Sequence, residues 1–507
     1  MRFFVVCPGG LETVLAAELR QIAERPEVKA QGAWVIDPTP TSPTGGVGLA
    51  GPLSAAMALN LHSRIASRVL LQMAESTYRQ EDDLYRLAHG LAWEEWFTHK
   101  QTLRVDVTAH RSPLKSLNFA TLKIKDAIVD RLREVSGDRP SIDTAFPDVR
   151  VQAHLTATHV SIYLDTSGEA LFKRGWRDEK GDAPLKENLA AGILALTGWQ
   201  PKQPLFDPMC GSGTFLIEAA QIAMGIPSGA IRSGLYDEAG KESVPTRLAY
   251  RPLVTSVHGF GFSRLKPFSV GAEQKKWQAL KDAVLAEILE RRKVFPDVQS
   301  LGISGSDINE KLVSMTKSNW QRAQLPGLPV VRQVDALAAK PPAINSSAAD
   351  PNAATLPGLA LLNPPYGQRL GMKGGRGDDR DQVQDRHDDE GYGVDDAVSD
   401  ADRYSHNIET GRQSAKRSSR ESLKRLQAEE EIDPAFLEFM RQFGQHLKDA
   451  FGGWHVFILT ADMALPGQLR IKESRRTPLF NGPLECRLFR FEMRSKTERL
   501  EPAGKTV

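Results

Sequence analysis

Residues 205 to 220 read LFDPMCGSGTFLIEAA. Two apolar residues end on Asp207, a glycine-containing turn follows, and Phe215, Leu216, Ile217, Ala219 and Ala220 supply an apolar helix-forming run. A strand, an acid at its carboxyl end, a Gly turn and a helix form one unit of an open α/β sheet, whose ligands sit outside the carboxyl ends of the strands. Gly211 and Gly213 let the backbone approach such a ligand closely. The third glycine of GxGxxG is missing, which argues against a dinucleotide pyrophosphate, and no GK[ST] follows, which argues against a nucleoside triphosphate.

Further strands of the same kind follow. LGISGSDIN ends on Asp307, VVRQVDAL on Asp335, and LALLNPPYG stops on Asn363-Pro364-Pro365-Tyr366. WHVFILTAD comes next, and the helical KLVSMTKSNWQRAQ lies between two of these runs. Such alternation predicts a parallel sheet with helices on both faces. At the end, TPLFNGPLECRLFRFEM places Asn481-Gly482 between apolar runs, the signal of a terminal antiparallel hairpin. Any one of the three aspartates alone is as well explained as an N-cap or a turn residue. Acids on three successive strand ends, followed by NPPY on the fourth, are a more specific series. Asp307 is placed to accept from the two hydroxyls of a ribose, and Asp335 from an adenine amino group.

Upstream, an apolar strand at residues 3–7 leads through Pro8-Gly9-Gly10 into the helical LETVLAAELRQIAE, and residues 38–48 are Pro, Thr and Gly punctuation. Residues 55–165 read as α+β. Within them TLKIKDAIVDRLREV puts Ile124, Ile128, Leu132 and Val135 on one helical face and leaves Lys123, Lys125, Arg131 and Arg133 outside it. With Arg111 and Lys115 this makes a basic cluster, which is either a solvated face or a phosphate-binding surface. Residues of roughly 225–300 interrupt the α/β pattern with an ordered insertion that contains the helical WQALKDAVLAEILERR. It makes the span from Asp207 to Asp307 about five times the roughly 20 residues of a simple nucleotide-binding unit. Residues 372–430 are charged, rich in Gly and Ser and poor in apolar side chains, so they are expected to be disordered.

A chain of 507 residues implies two to four domains, and 41% hydrophobic with 25% charged residues is ordinary for a soluble protein. A formal charge of +2 means that any nucleic-acid surface is a local patch. Cys7, Cys210 and Cys486 form no CxxC pattern, which suggests neither a disulfide framework nor a metal site. No stretch has the length of a membrane span or the form of a cleaved leader, so a cytoplasmic location is expected.

DPMCGSGT, the strand-terminal Asp307 and Asp335, and NPPYG resemble S-adenosylmethionine-dependent methyltransferases that act on exocyclic amino groups. NFATLKIKDAIVDRLRE and LFKRGWRDEKGDAPLKENLAAGILALTGW are similar to the THUMP-containing bacterial enzymes of the RlmL type, which methylate guanine N2 in 23S rRNA. The resemblance implies a Rossmann-like class I methyltransferase sheet of seven strands at residues 168–500, preceded by a ferredoxin-like unit at 1–54 and a THUMP RNA-binding domain at 55–167. It implies S-adenosylmethionine as cofactor. Asp207, Pro208, Cys210, Gly211, Gly213 and Thr214 would line its methionine end, Asp307 would hold the ribose with Ile308 beside it, and Asp335 would face the adenine. Cys210 reads as a small turn residue, because N-methylation needs no covalent intermediate. Asn363, Pro364, Pro365 and Tyr366 would form the catalytic set. The Asn363 side-chain oxygen and the Pro364 carbonyl would take one amino N–H each, the proline pair would fix that carbonyl, and Tyr366 would offer a stacking face. Arg111, Lys115, Lys123, Lys125 and Arg369 would contact RNA, either 23S rRNA or a large-subunit assembly intermediate, with no membrane and no metal involved. Some relatives carry a second methyltransferase domain at the C-terminus, and this chain is expected to end before one. Two other readings are a DNA adenine-N6 methyltransferase and an rRNA-binding assembly factor with a vestigial methyltransferase domain.

Overall fold

A computed structural model describes residues 1–38, 45–177, 185–235, 259–342, 356–364, 434–482 and 484–494. The 372–430 insert, Pro365, Tyr366 and Arg369 lie outside the described residues. Two seven-stranded sheets organise the rest.

The first sheet begins with β1 (Arg2–Val6), whose Phe3 and Val5 alternate into the core. Helix α1 (Glu12–Ala23) buries Leu15, Leu19 and Ile22, one stripe at helical spacing. Glu12 in its first turn accepts from the backbone N–H of Gly10 (2.9 Å) and Gly45 (3.2 Å), a carboxylate where the helix dipole favours one. Then follow α2 (Pro26–Lys29), β2 (Val35–Ile36), β3 (Gly46–Ala50), α3 (Ala55–His62), β4 (Arg68–Thr77), α4 (Glu81–His89), β5 (Leu103–Ala109), α5 (Leu117–Ser136), β6 (Val149–Leu155) and β7 (His159–Asp165). The strand order is β2-β3-β1-β4-β7-β6-β5. Strand β4 serves two neighbours: Arg68, Val69, Leu70 and Leu71 pair with β1, and the length from Leu70 to Thr77 pairs with β7. The sheet therefore runs unbroken through both N-terminal segments.

Helix α5 starts at Ser116, whose hydroxyl accepts from the Phe119 N–H, and stops at Gly137 with φ +79°. Ile124, Ile128 and Leu132 are buried as their spacing requires, but Val135 is 52% exposed. A 20-residue helix is about 30 Å long. The seven-residue strands β5 and β6 span only about 23 Å, so they are too short to cover α5 over its whole length.

The second sheet is built from α6 (Glu187–Thr197), β8 (Leu205–Asp207), α7 (Thr214–Ala223), α8 (Lys266–Ser269), α9 (Gly271–Val294), β9 (Ile303–Asp307), α10 (Glu310–Arg322), β10 (Val330–Gln333), β11 (Gly358–Leu362), α11 (Pro434–Ala450), β12 (Trp454–Thr460), α12 (Leu465–Leu469), β13 (Arg475–Asn481) and β14 (Leu484–Glu492). Its order is β10-β9-β8-β11-β12-β14-β13, parallel from β10 to β12, with β14 antiparallel to both of its neighbours. Every residue of β11 is buried, as expected of a strand covered on both faces. Leu359 and Leu361 join the core on one side with Phe215 and Phe457, while Ala360 and Leu362 join the other with Phe443 and Ile458. The hairpin expected at Asn481-Gly482 is present, with Asn481 paired to Leu484.

The expected ordered insertion contains α9, which buries Leu280, Val284 and Ile288 and sends Glu287 to Arg25 of the N-terminal unit (2.5 Å). A second tie centres on the fully buried Glu218. Glu218 of α7 accepts from Arg174 (Nε, 3.2 Å) and from Arg64 (Nη1, 3.1 Å), so the two sheets share an ion cluster. Among the described residues no helix is long and apolar enough to cross a membrane.

Candidate functional site

The strand order of the second sheet reverses beside β8, which has β9 on one side and β11 on the other. A crevice outside the carboxyl ends forms at such a switch point. Asp207, Asp307 and Asn363 stand at or just past the ends of these three neighbouring strands. Chain segments about 100 and 56 residues apart in sequence thus converge by parallel pairing.

The glycine turn is held from several sides. Asp207 is buried and its Oδ1 accepts from the Met209 N–H (3.0 Å). The Cys210 N–H donates to the Ser306 carbonyl (2.9 Å), and the Pro208 carbonyl accepts from the Ser306 hydroxyl (3.3 Å). Gly213, at φ +82°, has no room for a side chain: a Cβ there would lie 2.5 Å from Thr316 Cγ2. Gly211, at φ +55°, has the opposite surroundings, with nothing within 4 Å of a would-be Cβ, so its backbone faces open space. From α10, Thr316 donates to the Gly211 carbonyl (2.8 Å) and Asn319 to the Ser212 carbonyl (3.1 Å).

Asp307 ties this turn to the next strand. Its Oδ2 accepts from the Gly211 N–H and its Oδ1 from the Asn309 N–H, both at 2.9 Å. A carboxylate has about four acceptor positions, so two remain for a ligand. Ile308 beside it is 65% exposed, an apolar surface next to the strand end. Asp335 lies two residues past β10 and is exposed. Its Oδ1 accepts from the Leu337 N–H (2.9 Å) and its carbonyl from the Ala338 N–H (2.8 Å), the geometry of a turn residue.

Burial pushes the Asp207 carboxyl well above the usual carboxylate range; the Met209 N–H opposes the shift and the Asp307 charge adds to it. The Cys210 thiol is likewise pushed well up, mostly by burial and further by both aspartates, so it stays protonated as a small turn residue should. Asn363 and Pro364 are half-buried after β11.

One participant was not singled out from the sequence. Arg177, its side chain only 12% exposed, donates to the Glu187 carboxylate (2.9 Å), the Leu185 carbonyl (3.2 Å), the Ser212 hydroxyl (3.0 Å) and the Thr214 hydroxyl (2.8 Å). Its partners lie up to 37 positions away, and no local pattern announces such a set.

On the first sheet, the basic cluster is largely paired. Lys123 Nζ lies 2.7 Å from Asp82, Lys125 Nζ 3.0 Å from Asp126, Arg133 2.9 Å from Asp130, and Arg131 meets Glu94. Arg111 and Lys115 are exposed, as are the apolar Phe119 and Leu122 of α5. The basic cluster expected from the sequence is present as a set of exchangeable ion pairs, each worth about 0–1 kcal/mol in water.

Three family models match the chain: the RlmL ferredoxin-like domain over residues 2–70, the THUMP domain over 78–165, and the RMKL-like methyltransferase domain over 174–378. The Ribosomal RNA large subunit methyltransferase K/L of Aeromonas hydrophila is 30% identical over 97% of this chain and 54% of its own length. That of Shewanella pealeana is 29% identical over 99% and 55%. The chain thus spans about half the length of these curated relatives. The crystal structure of SMU.472 complexed with SAH superposes with a TM-score of 0.64 at 22% identity, covering 97% of this chain and 98% of that one. TrmN from Thermus thermophilus superposes with a TM-score of 0.52 at 15% identity, covering 97% and 100%. The chain thus carries matches to a RlmL ferredoxin-like, a THUMP and an RMKL-like methyltransferase domain in that order, and the resemblance to the RlmL type read from the sequence is borne out.

Proposed function

We propose that the protein transfers a methyl group from S-adenosylmethionine to the exocyclic N2 amino group of a guanine in 23S rRNA. The observation that carries this reading is the convergence of the glycine turn, Asp307 and Asn363 at the switch point of the second sheet. The residues fit the cofactor. Open space over Gly211, a carboxylate at Asp307 with free acceptor positions and the exposed Ile308 suit a nucleoside with an amino-acid tail. Asp207, Pro208, Cys210, Gly211, Gly213 and Thr214 line the methionine end, Asp307 and Ile308 the ribose, and Asp335 the outer rim by the adenine. When bound, S-adenosylmethionine supplies an electrophilic methyl group on a sulfonium.

The chain's own part is to make a poor nucleophile competent. An exocyclic amino nitrogen delocalises its lone pair into the ring. The Asn363 side-chain oxygen and the Pro364 carbonyl accept its two N–H groups, turn the lone pair out of conjugation and stabilise the positive charge that develops on nitrogen. Pro365 fixes the direction of that carbonyl, and Tyr366 gives the extruded base a stacking face. The methylated nitrogen, left positive, is strongly acidic and releases its extra proton to water, so no side chain of unusual basicity is required. The THUMP half supplies RNA contacts through Arg111, Lys115, Lys123 and Lys125, with Arg369 near the catalytic loop. The relatives named for large-subunit rRNA support that choice of substrate.

Incubation with labelled S-adenosylmethionine and unmodified 23S rRNA, followed by nucleotide mapping, tests the reading, and label on a guanine N2 is expected. Label on adenine N6 of duplex DNA would replace it with the DNA-methyltransferase reading. Crosslinking to precursor rRNA without cofactor binding would point to an assembly factor.

A further inference from the structure

We propose that Arg177 is the positioning residue of the cofactor turn, and that the connector from the THUMP half to the methyltransferase half acts through it. The inference rests on the reading of residues 207–214 as the methionine end of the cofactor site. Residues 171–177 follow the last strand of the first sheet and run beside α7, the helix that begins at this turn. Arg177 holds Thr214, the first residue of α7, while Arg174 holds Glu218, four positions later on the same helical face. Trp176 between them is fully buried and lies under the Arg177 guanidinium, with 5.2 Å between the guanidinium carbon and the ring centroid. The connector is therefore fixed along one turn of α7.

The four bonds of Arg177 divide into two pairs. Glu187 and the Leu185 carbonyl belong to the entry of α6, and Ser212 and Thr214 flank Gly213. A backbone turn with two glycines at positive φ has a large conformational entropy to lose. A planar guanidinium with donors in fixed directions holds both hydroxyls at once and so selects one geometry of the turn. Gly211, whose N–H reaches Asp307, is one residue before the first of those hydroxyls. Arg174 also donates to the Arg64 carbonyl, within the segment matched by the ferredoxin-like model, so the short connector that leaves the THUMP segment is bonded to both of the other parts.

Arg177→Lys keeps the charge and loses the fork. With the full chain and 23S rRNA as substrate, the KM for S-adenosylmethionine should rise about 10- to 100-fold while kcat at saturating cofactor stays within about threefold. Calorimetric affinity for S-adenosylhomocysteine should fall to match. Ser212→Ala removes one acceptor only, at a residue outside the cofactor-lining set, and serves if the Arg177 variants fold poorly; it should lower the affinity by itself and add nothing to Arg177→Lys in the double variant. An unchanged KM in Arg177→Lys, a loss carried wholly by kcat, or full additivity in the double variant would overturn the proposal. Asp307→Ala separates the two levels of the argument. If it keeps cofactor affinity, the site reading itself fails; if it loses affinity while Arg177→Lys does not, only the role of Arg177 falls.

Discussion

The two seven-stranded sheets use the same number of strands to opposite ends. In the second, five parallel neighbours send every carboxyl end the same way, and the strand-order reversal at β8 brings the three candidate residues Asp207, Asp307 and Asn363 to neighbouring strand ends. In the first, all pairs but β5 with β6 are antiparallel, so strand ends alternate and no edge collects chemistry. What that half offers is the outer face of α5 and its surroundings, where cations are held by acids until something exchanges with them. Parallel topology localises a site; antiparallel topology leaves its location to surface side chains.

Four measurements break or sharpen this contrast. Glu218→Ala leaves the buried Arg174 and the partly buried Arg64 without their shared acid, and denaturation should show a loss of about 3–5 kcal/mol felt by both sheets. A loss confined to one sheet would mean that the halves are less joined than the ion cluster implies. Asn363→Ala should lower turnover about 10²- to 10³-fold, as for removal of one transition-state hydrogen-bond group, with affinity for S-adenosylhomocysteine intact. If binding is lost instead, Asn363 is structural.

Lys115→Ala and Lys125→Ala should weaken RNA binding in all sequence contexts and reduce the salt slope by about 1 each, if these side chains meet phosphates. No change in slope would move the RNA surface off this half. Asp207→Asn has the smallest expected effect on stability, and a signed one. Because burial raises the folded carboxyl above its ordinary value of 3.8, ionising it costs stability increasingly as pH rises from that value towards the raised one. The neutral amide escapes this cost, so the variant should melt above the parent at pH 8 and level with it near pH 3.5. The opposite trend would mean that Asp207 is stabilised as an anion.

The second sheet was legible in the sequence because its signals are local. LFDPMCGSGTFLIEAA holds strand, turn and helix within one short window, and Asn481-Gly482 marks its hairpin by itself. Ile124, Ile128 and Leu132 were legible for the same reason. Val135 was not, since periodicity fixes a face and says nothing of where the underlying strands end. The pairing of Lys123 with Asp82 joins residues 41 apart, and that of Arg177 with Thr214 residues 37 apart. Both depend on packing between elements that no window of sequence contains. Arg177 stood in a stretch that carried the family resemblance, yet nothing in its neighbours marked it as touching the glycine turn.

Strand β4 has a consequence for how the protein is made and handled. Its first four residues complete the edge of one domain and its length completes the other, so the two family segments share a backbone ladder. A fragment that lacks β1 leaves the start of β4 with unpaired donors and acceptors, and a fragment that stops after β4 leaves the far side bare. Such open edges recruit strands from other chains. The N-terminal half should therefore fold as one cooperative unit and be expressed whole, and attempts to prepare the THUMP segment by itself should yield aggregates.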